Sequence, residues 1–257
     1  MPKSKFKKIL ITGASGAVGG ALARHYSEAG VTLILHGRNV ELLAKIAEEC
    51  RTAGALVEKL VLDLRDITEL RNWIMLNLEQ TPPDLVIANA GMSINNHPQT
   101  GENWDELAAL IDLNVKSTLA LVNGVIPAMR ARGSGQIVLI SSLAAYYGLP
   151  VTPGYSASKA ALKAYAEALR CDLAPAGVKV NLVMPGDIKS AMCAATDGPK
   201  FLLMDPDKAS IKIARGIKKN QARISFPFPL NLGAWFLAVM PAACSDFFLK
   251  ALGYGAK

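Results

Sequence analysis

Cysteine and histidine are scarce in this sequence. The four cysteines, Cys50, Cys171, Cys193 and Cys244, form no CxxC pair and share no regular spacing. That argues against a disulfide framework or a zinc site and suits a reducing compartment, so a cytoplasmic location is expected. The three histidines, His25, His36 and His97, are too scattered to suggest a metal cluster. Aromatic residues make up only 6%, and no basic patch is interleaved with them, so a nucleic-acid partner is not expected. No internal repeat, low-complexity tract or linker-like stretch marks a domain boundary. The first residues are charged and lack an apolar run of about 7–15 residues ending in small side chains, so no secretory leader is expected. Charge is modest as well, at 19% against 51% hydrophobic residues, which excludes a disordered chain.

What is present is enough for a large core. A chain of 257 residues can bury roughly 70–75% of its unfolded surface. A single domain over 1–257 is the simplest expectation, with 205–257 forming a basic helix and an apolar flap within it. Short apolar runs predict strands at Lys8–Thr12, Thr32–His36, Val57–Leu62, Asp84–Ala88, Gln136–Ile140 and Lys179–Met184. Segments of helical period lie between and after them, at Ala17–Ala29, Val40–Ala53, Ile67–Asn77, Trp104–Ala131, Gly154–Leu173 and Asp207–Asn220. Several strands are apolar almost throughout, as expected when a parallel sheet is covered on both faces. The alternation predicts an α/β fold with a doubly wound parallel sheet in three layers. Ligands on such a sheet bind beyond the carboxyl ends of the strands.

The residues at those ends are informative. Thr12-Gly13-Ala14-Ser15-Gly16-Ala17-Val18-Gly19 follows the first strand and opens the first helix. Small residues there let a pyrophosphate approach the backbone N–H groups and the positive end of the helix. The same run nearly spells a hydrolase elbow, but Ala17 replaces its last glycine and no histidine follows an acid late in the chain. At the end of strand two, Gly37 stands where an NAD site would place an acid, and Arg38 and Asn39 follow. A guanidinium there suits a 2′-phosphate and points to NADP(H) over NAD(H).

Ser142 closes strand five, and Tyr155 and Lys159 follow four residues apart at the start of a helix, on one face. An ammonium beside the phenol is expected to lower its pKa from about 10 toward a value suited to proton transfer. The Ser142 hydroxyl is placed to hydrogen-bond a substrate oxygen.

With these residues in view, the sequence resembles the short-chain dehydrogenase/reductases, in the branch whose chains have about this length, over residues 6 to 192. The motifs carrying the resemblance are Thr12–Gly19, Asp63 with Leu64 after strand three, Asn89-Ala90-Gly91, Asn114, the trio Ser142, Tyr155 and Lys159, and Pro185-Gly186-Asp187-Ile188-Lys189-Ser190. The resemblance implies a Rossmann fold, a nicotinamide cofactor and oxidoreduction of an alcohol or carbonyl. It implies that Tyr155 exchanges the proton, Ser142 steadies the oxygen and Lys159 grips the nicotinamide ribose, while Asn114 holds a water leading to Lys159. It further implies cofactor contacts from Gly13, Ser15, Gly16, Ala17, Val18, Gly19, Asp63, Leu64, Asn89, Ala90, Gly91, Pro185, Gly186, Ile188 and Ser190. Homodimers or homotetramers packed through the helices holding Trp104–Ala131 and Tyr155–Leu173 are implied too. Two positions depart from the branch: Ala17 stands where it has glycine, and Ser190 where it has threonine. A non-catalytic dinucleotide sensor or scaffold on the same fold is the alternative; its mark would be loss of Ser142, Tyr155 or Lys159, and all three are present.

Substrate contacts are expected from Met92–Asn103, Leu143–Thr152 and Met192–Asp207, with Leu143 and Met192 beside Ser142 and Tyr155. These segments carry Met92, Tyr146, Tyr147, Leu149, Phe201, Leu202 and Met204, an apolar set that suits a lipophilic alcohol or ketone. Lys208, Lys212, Arg215 and Lys219 form one helical stripe, and Ile224–Ser245 has no charged residue. Proline at 227, 229 and 241 argues against a transmembrane helix. A basic helix beside an apolar flap suits peripheral contact with an anionic membrane, as does the net charge of +7, to which Lys3, Lys5, Lys7 and Lys8 contribute; a solvated helix with the flap buried in a subunit interface or over the substrate is the alternative.

Overall fold

The computed structural model describes residues 5–97 and 99–254; Lys3 of the basic amino terminus lies outside them. The first half runs β1 (Lys8–Ile11), α1 (Ala17–Tyr26), β2 (Thr32–His36), α2 (Val40–Thr52), β3 (Leu56–Leu60), α3 (Ile67–Leu78) and β4 (Leu85–Ala88). Next come α4 (Trp104–Ile111), α5 (Ser117–Arg132), β5 (Gly135–Ile140), α6 (Pro153–Leu173) and β6 (Val178–Pro185). The chain closes with α7 (Ala191–Ala195), α8 (Pro206–Lys218), β7 (Arg223–Phe226), α9 (Leu230–Val239) and α10 (Ala242–Leu249). One parallel sheet takes the order β3-β2-β1-β4-β5-β6-β7. The order reverses between β1 and β4, which pair with Leu10 opposite Val86. This reversal opens a crevice above the sheet, where ligands of such folds bind.

Both faces of the sheet are covered, as the apolar strands require. On one face Ile9, Ile11, Leu33 and Leu35 pack with Leu22 of α1, Leu43 of α2 and Ile213 of α8. On the other, Leu10, Val86, Ile137 and Leu139 pack with Leu70 of α3, Val122 of α5 and Leu162 of α6. A fully buried Leu or Ile of this kind contributes roughly 1.5–3 kcal/mol.

The structure departs from the sequence reading in two places. The single helix expected over Trp104–Ala131 is interrupted by a π-turn at Asp112–Lys116. There Asn114 is fully buried, and its amide accepts from Met92 N at 2.8 Å and donates to Met92 O at 2.9 Å and Ser158 Oγ at 3.0 Å. Turning a polar side chain into the fold disturbs the local helical ladder, and π-turns mark such places. The helical run Trp104–Arg132 is apolar and, at 29 residues, long enough to cross a membrane, but half of its most apolar stretch is buried in the fold.

The second departure is the stretch Ile224–Ser245. Its start is no flap: Ile224 and Phe226 are buried in β7, one of the two edge strands. The rest forms two short helices broken at Met240 and Pro241. The basic helix and the apolar segment also part company. Ala209, Ile213 and Ile217 of α8 belong to the α1/α2 layer, whereas Leu230 and Ala234 of α9 pack on the opposite core.

Candidate active site

The turn after β1 is buttoned to the turn after β4. Thr12 Oγ1 accepts from Asn89 N at 2.9 Å and Ala90 N at 3.0 Å, and Asn89 Nδ2 donates to Thr12 O at 2.9 Å. Gly13 has φ +68°, and a Cβ there would lie 2.9 Å from Ala90 Cα, so only glycine suits the position. A Cβ on Gly19 would lie 2.3 Å from Gly13 O. Gly19 therefore lets α1 pack on the turn and does not line the cavity, unlike Ser15, Gly16, Ala17 and Val18. Helices α2, α3 and α4 begin with side-chain caps from Asn39, Asp66 and Asn103, but α1 has none. Its first N–H groups are left for a ligand, which fits the pyrophosphate of a dinucleotide. Ala17, which stands where the branch has glycine, sits at the first helical position.

At the end of β2, Arg38 is exposed and pairs with no carboxylate among the described residues; it and Asn39 line the same cavity. Gly37 is tightly hemmed: a Cβ there would lie 2.7 Å from Ser15 Oγ and 3.0 Å from Ser15 Cβ. After β3, Leu64 lines the cavity, but Asp63 does not. Its carboxylate is held by Arg65, with Nε 3.0 Å from both oxygens, and faces a shallow neighbouring depression. That ion pair keeps the Asp63 pKa down at about 2.

The cavity itself encloses about 1420 Å³ and runs from the glycine turn past Asn89, Ala90 and Gly91 to the carboxy-terminal helices. Ser142, Tyr155 and Lys159 meet in its wall. Lys159 is 4% exposed, donates to Ile140 O at 3.0 Å, and holds Nζ 5.5 Å from the centroid of the Tyr155 ring. Gly91 makes this room, because a Cβ there would sit 3.1 Å from Asn114 Oδ1 and 3.4 Å from Lys159 Nζ. Asn114 thus lies behind Lys159 and outside the cavity lining, its amide satisfied by protein partners.

The electrostatics correct one expectation. Burial pushes the Tyr155 phenol up to about 12, with only partial opposition from its hydrogen bond with Ser142. Burial also pulls Lys159 down to about 8. Spacing alone suggested a lowered phenol; loss of hydration outweighs the hydrogen bond with Ser142. At neutral pH the pair is a neutral phenol beside a largely protonated amine, the state suited to giving up a proton.

Beyond the trio, Pro185, Gly186 and Ile188 line the cavity, as does Ser190, whose Oγ caps α7 by accepting from Cys193 N at 3.0 Å. Leu143, Tyr147, Leu149, Met192, Phe201 and Leu202 line it as expected. Met92 and Tyr146 instead pack on the core, and Met204 on the opposite one. The sequence reading missed His36, which touches the glycine turn. Of the places open to the apolar flap, the structure shows the one over the cavity, which Leu232, Phe236, Leu237, Phe248 and Leu252 roof. The roof is tied down by Tyr147 Oη donating to Asp246 Oδ1 at 2.9 Å and Tyr254 Oη donating to Pro199 O at 3.2 Å. Its unbroken apolar character was the available signal.

Comparison with known proteins agrees with this geometry. The family profile described as short chain dehydrogenase matches residues 7–199. An uncharacterized oxidoreductase of Myxococcus xanthus is 35% identical over 96% of this chain and 97% of its own. A ketoacyl reductase, HetN, of Nostoc is 29% identical over 85% of this chain and 77% of its own. Among solved structures, a short-chain dehydrogenase from Sphingobium yanoikuyae in complex with NADPH superposes with a TM-score of 0.79 at 25% identity, covering 95% of this chain and 92% of that one. The chain belongs to the short-chain dehydrogenase family and is an NAD(P)-dependent oxidoreductase.

Proposed function

We propose that the protein is an NADP(H)-preferring reductase or dehydrogenase acting on a lipophilic carbonyl or alcohol. The observation that carries this reading is the meeting of Ser142, Tyr155 and Lys159 in one wall of a cavity that starts at the glycine turn and ends under an apolar roof. A nicotinamide cofactor, when bound, gives or takes a hydride at the substrate carbon. Tyr155 donates a proton to the developing alkoxide in reduction and accepts one in oxidation. The Ser142 hydroxyl donates to the same oxygen, and a donor aimed at developing charge is worth about 3–4 kcal/mol. Lys159 holds positive charge near the phenolate formed as the proton leaves, and Asn114 braces Lys159 through the π-turn. Ser15, Arg38 and Asn39 surround the place of a 2′-phosphate, where Gly37 leaves no carboxylate to repel it.

The roof supports the lipophilic reading, because Leu232, Phe236, Leu237, Phe248 and Leu252 line the carboxy-terminal end of the cavity with apolar side chains. Its outer side favours a membrane surface over plain solution. Phe228 and Phe247 are 77% and 68% exposed, Trp235 is exposed as well, and the chain is cationic. The protein then works in the cytoplasm at the bilayer surface. Helices α4–α5 and α6 join copies into a dimer or tetramer, a reading supported by Trp104, 74% exposed at the start of α4.

Tyr155→Phe tests the chemistry. It is expected to lose about 10²–10⁴-fold in turnover while still binding NADPH in a fluorescence titration; undiminished turnover removes Tyr155 from its role. Sedimentation with anionic vesicles tests the surface. The wild type is expected to pellet and a Trp235→Ser/Phe247→Ser variant to stay in solution, and equal behaviour of the two overturns the membrane reading.

A further inference from the structure

His36 ends β2 and is 3% exposed, yet it has no part in the chemistry above. Its imidazole spans two neighbouring strand ends. Nδ1 lies 3.2 Å from Gly13 N, and Nε2 lies 2.9 Å from Leu62 O. A backbone N–H can only donate and a carbonyl can only accept. Both contacts hold in one protonation state alone, the neutral ring with its proton on Nε2. The His36 carbonyl adds a third tie by accepting from Ala14 N at 2.7 Å. One residue therefore fastens the ends of β1, β2 and β3 together, at Gly13, where the backbone takes its left-handed turn toward the cavity.

We infer that His36 is a positioning residue for the dinucleotide: its neutral imidazole holds the glycine turn in the shape that receives the phosphates, and protonation of the ring releases that hold. The inference rests on the reading that this turn binds NADP(H).

The chemistry of the latch is simple. A second ring proton on Nδ1 would face the Gly13 N–H, donor against donor, and the tie would break. Three elements surround the ring. Thr12–Val18 offers no titratable group, the β2–α2 corner brings Arg38, and the segment after β3 brings Asp63, held by Arg65. Burial is the largest influence, and with Arg38 it holds the imidazole below its ordinary value against the opposing pulls of Leu62 O and Asp63. The latch is therefore closed at neutral pH and opens on acidification.

Two substitutions separate its halves. His36→Asn keeps an acceptor near the position of Nδ1 and cannot titrate; His36→Phe keeps bulk and loses both ties. NADPH dissociation constants are measured by fluorescence titration from pH 5.5 to 8, with kcat taken at saturating NADPH. At pH 7.5, His36→Phe is expected to weaken NADPH about tenfold, the worth of one buried hydrogen bond, with kcat nearly unchanged, and His36→Asn to restore most of the affinity. Wild-type affinity is expected to fall on acidification more steeply than that of His36→Asn. Titration of the cofactor's own phosphate is common to both proteins and drops out of the comparison. If His36→Phe does not fold, the wild-type and His36→Asn profiles decide alone. Parallel profiles, or a His36→Phe protein with wild-type affinity, overturn the inference. A wild type that binds neither NADPH nor NADH would instead overturn the reading beneath it.

Discussion

Cofactor choice can be tested by placing the missing carboxylate at position 37. In an NAD site an acid there accepts from both ribose hydroxyls and repels a 2′-phosphate. Gly37→Asp alone is expected to fail in this protein, because its Cβ would lie 2.7 Å from Ser15 Oγ and 3.0 Å from Ser15 Cβ. The hydroxyl can rotate away, but the Ser15 Cβ cannot leave without moving the glycine turn. Such overpacking costs about 1–3 kcal/mol, and its burden falls on the loop that binds either cofactor. The single variant should therefore weaken NADPH without gaining NADH. Ser15→Gly removes the two nearest atoms and leaves Leu43 Cδ1 at 3.3 Å, the far end of a flexible side chain that can shift. In the double variant the new carboxylate can form charge-assisted hydrogen bonds worth about 1.5–3 kcal/mol, or roughly 10–100-fold in NADH affinity. Repulsion of the 2′-phosphate should weaken NADPH by roughly a hundredfold or more, since like charges about 4 Å apart near a protein surface repel by about 4 kcal/mol. Fluorescence titration of wild type, both single variants and the double variant with NADH and NADPH reads all of this. A Gly37→Asp protein that binds NADH tightly without help at position 15 would refute the steric argument. A wild type that prefers NADH would refute the role given to Arg38.

Two further predictions concern Tyr155 and Lys159. Lys159→Met should abolish turnover yet raise the melting temperature. Holding a charged amine in this wall, where burial lowers its pKa from 10.5 to about 8, costs on the order of 3 kcal/mol, and the lost bond to Ile140 O offsets about 1 kcal/mol. A net gain of about 2 kcal/mol corresponds to roughly 4–8 °C in calorimetry. The gain should be full below pH 8 and shrink between pH 8 and 10.5, as the unfolded lysine alone stays protonated; a lowered melting temperature at pH 7 would contradict it. In steady-state assays, reduction should hold level through neutral pH and fall above about 8, where Lys159 loses its charge. Alcohol oxidation should climb with pH, because the Tyr155 phenol, held up at about 12, must first lose its proton. Profiles with the opposite slopes would remove the assigned proton donor.

How much was legible in the sequence follows from the range of the forces involved. Strands such as β1 and β5 declare themselves because burial on both faces demands unbroken apolar runs. The glycine turn and the Tyr155–Lys159 pair are equally local, since chain geometry within a few residues places them. The π-turn at Asn114 was not legible, because it depends on Met92 and Ser158 arriving from elsewhere. Strand β7 was hidden for a related reason: four residues beside prolines read as loop until β6 offers them a partner.

The sequence by itself determined the doubly wound sheet, the places where its strands end and the residue types gathered there. Tertiary structure decided what those residues experience. Burial raised Tyr155 and lowered Lys159 against the expectation from spacing. Arg65 turned Asp63 away from the cavity, Gly19 proved to be a packing residue, and an apolar stretch became a roof. Solvation and steric fit depend on every neighbour in space, and those neighbours are set only when the chain has closed on itself.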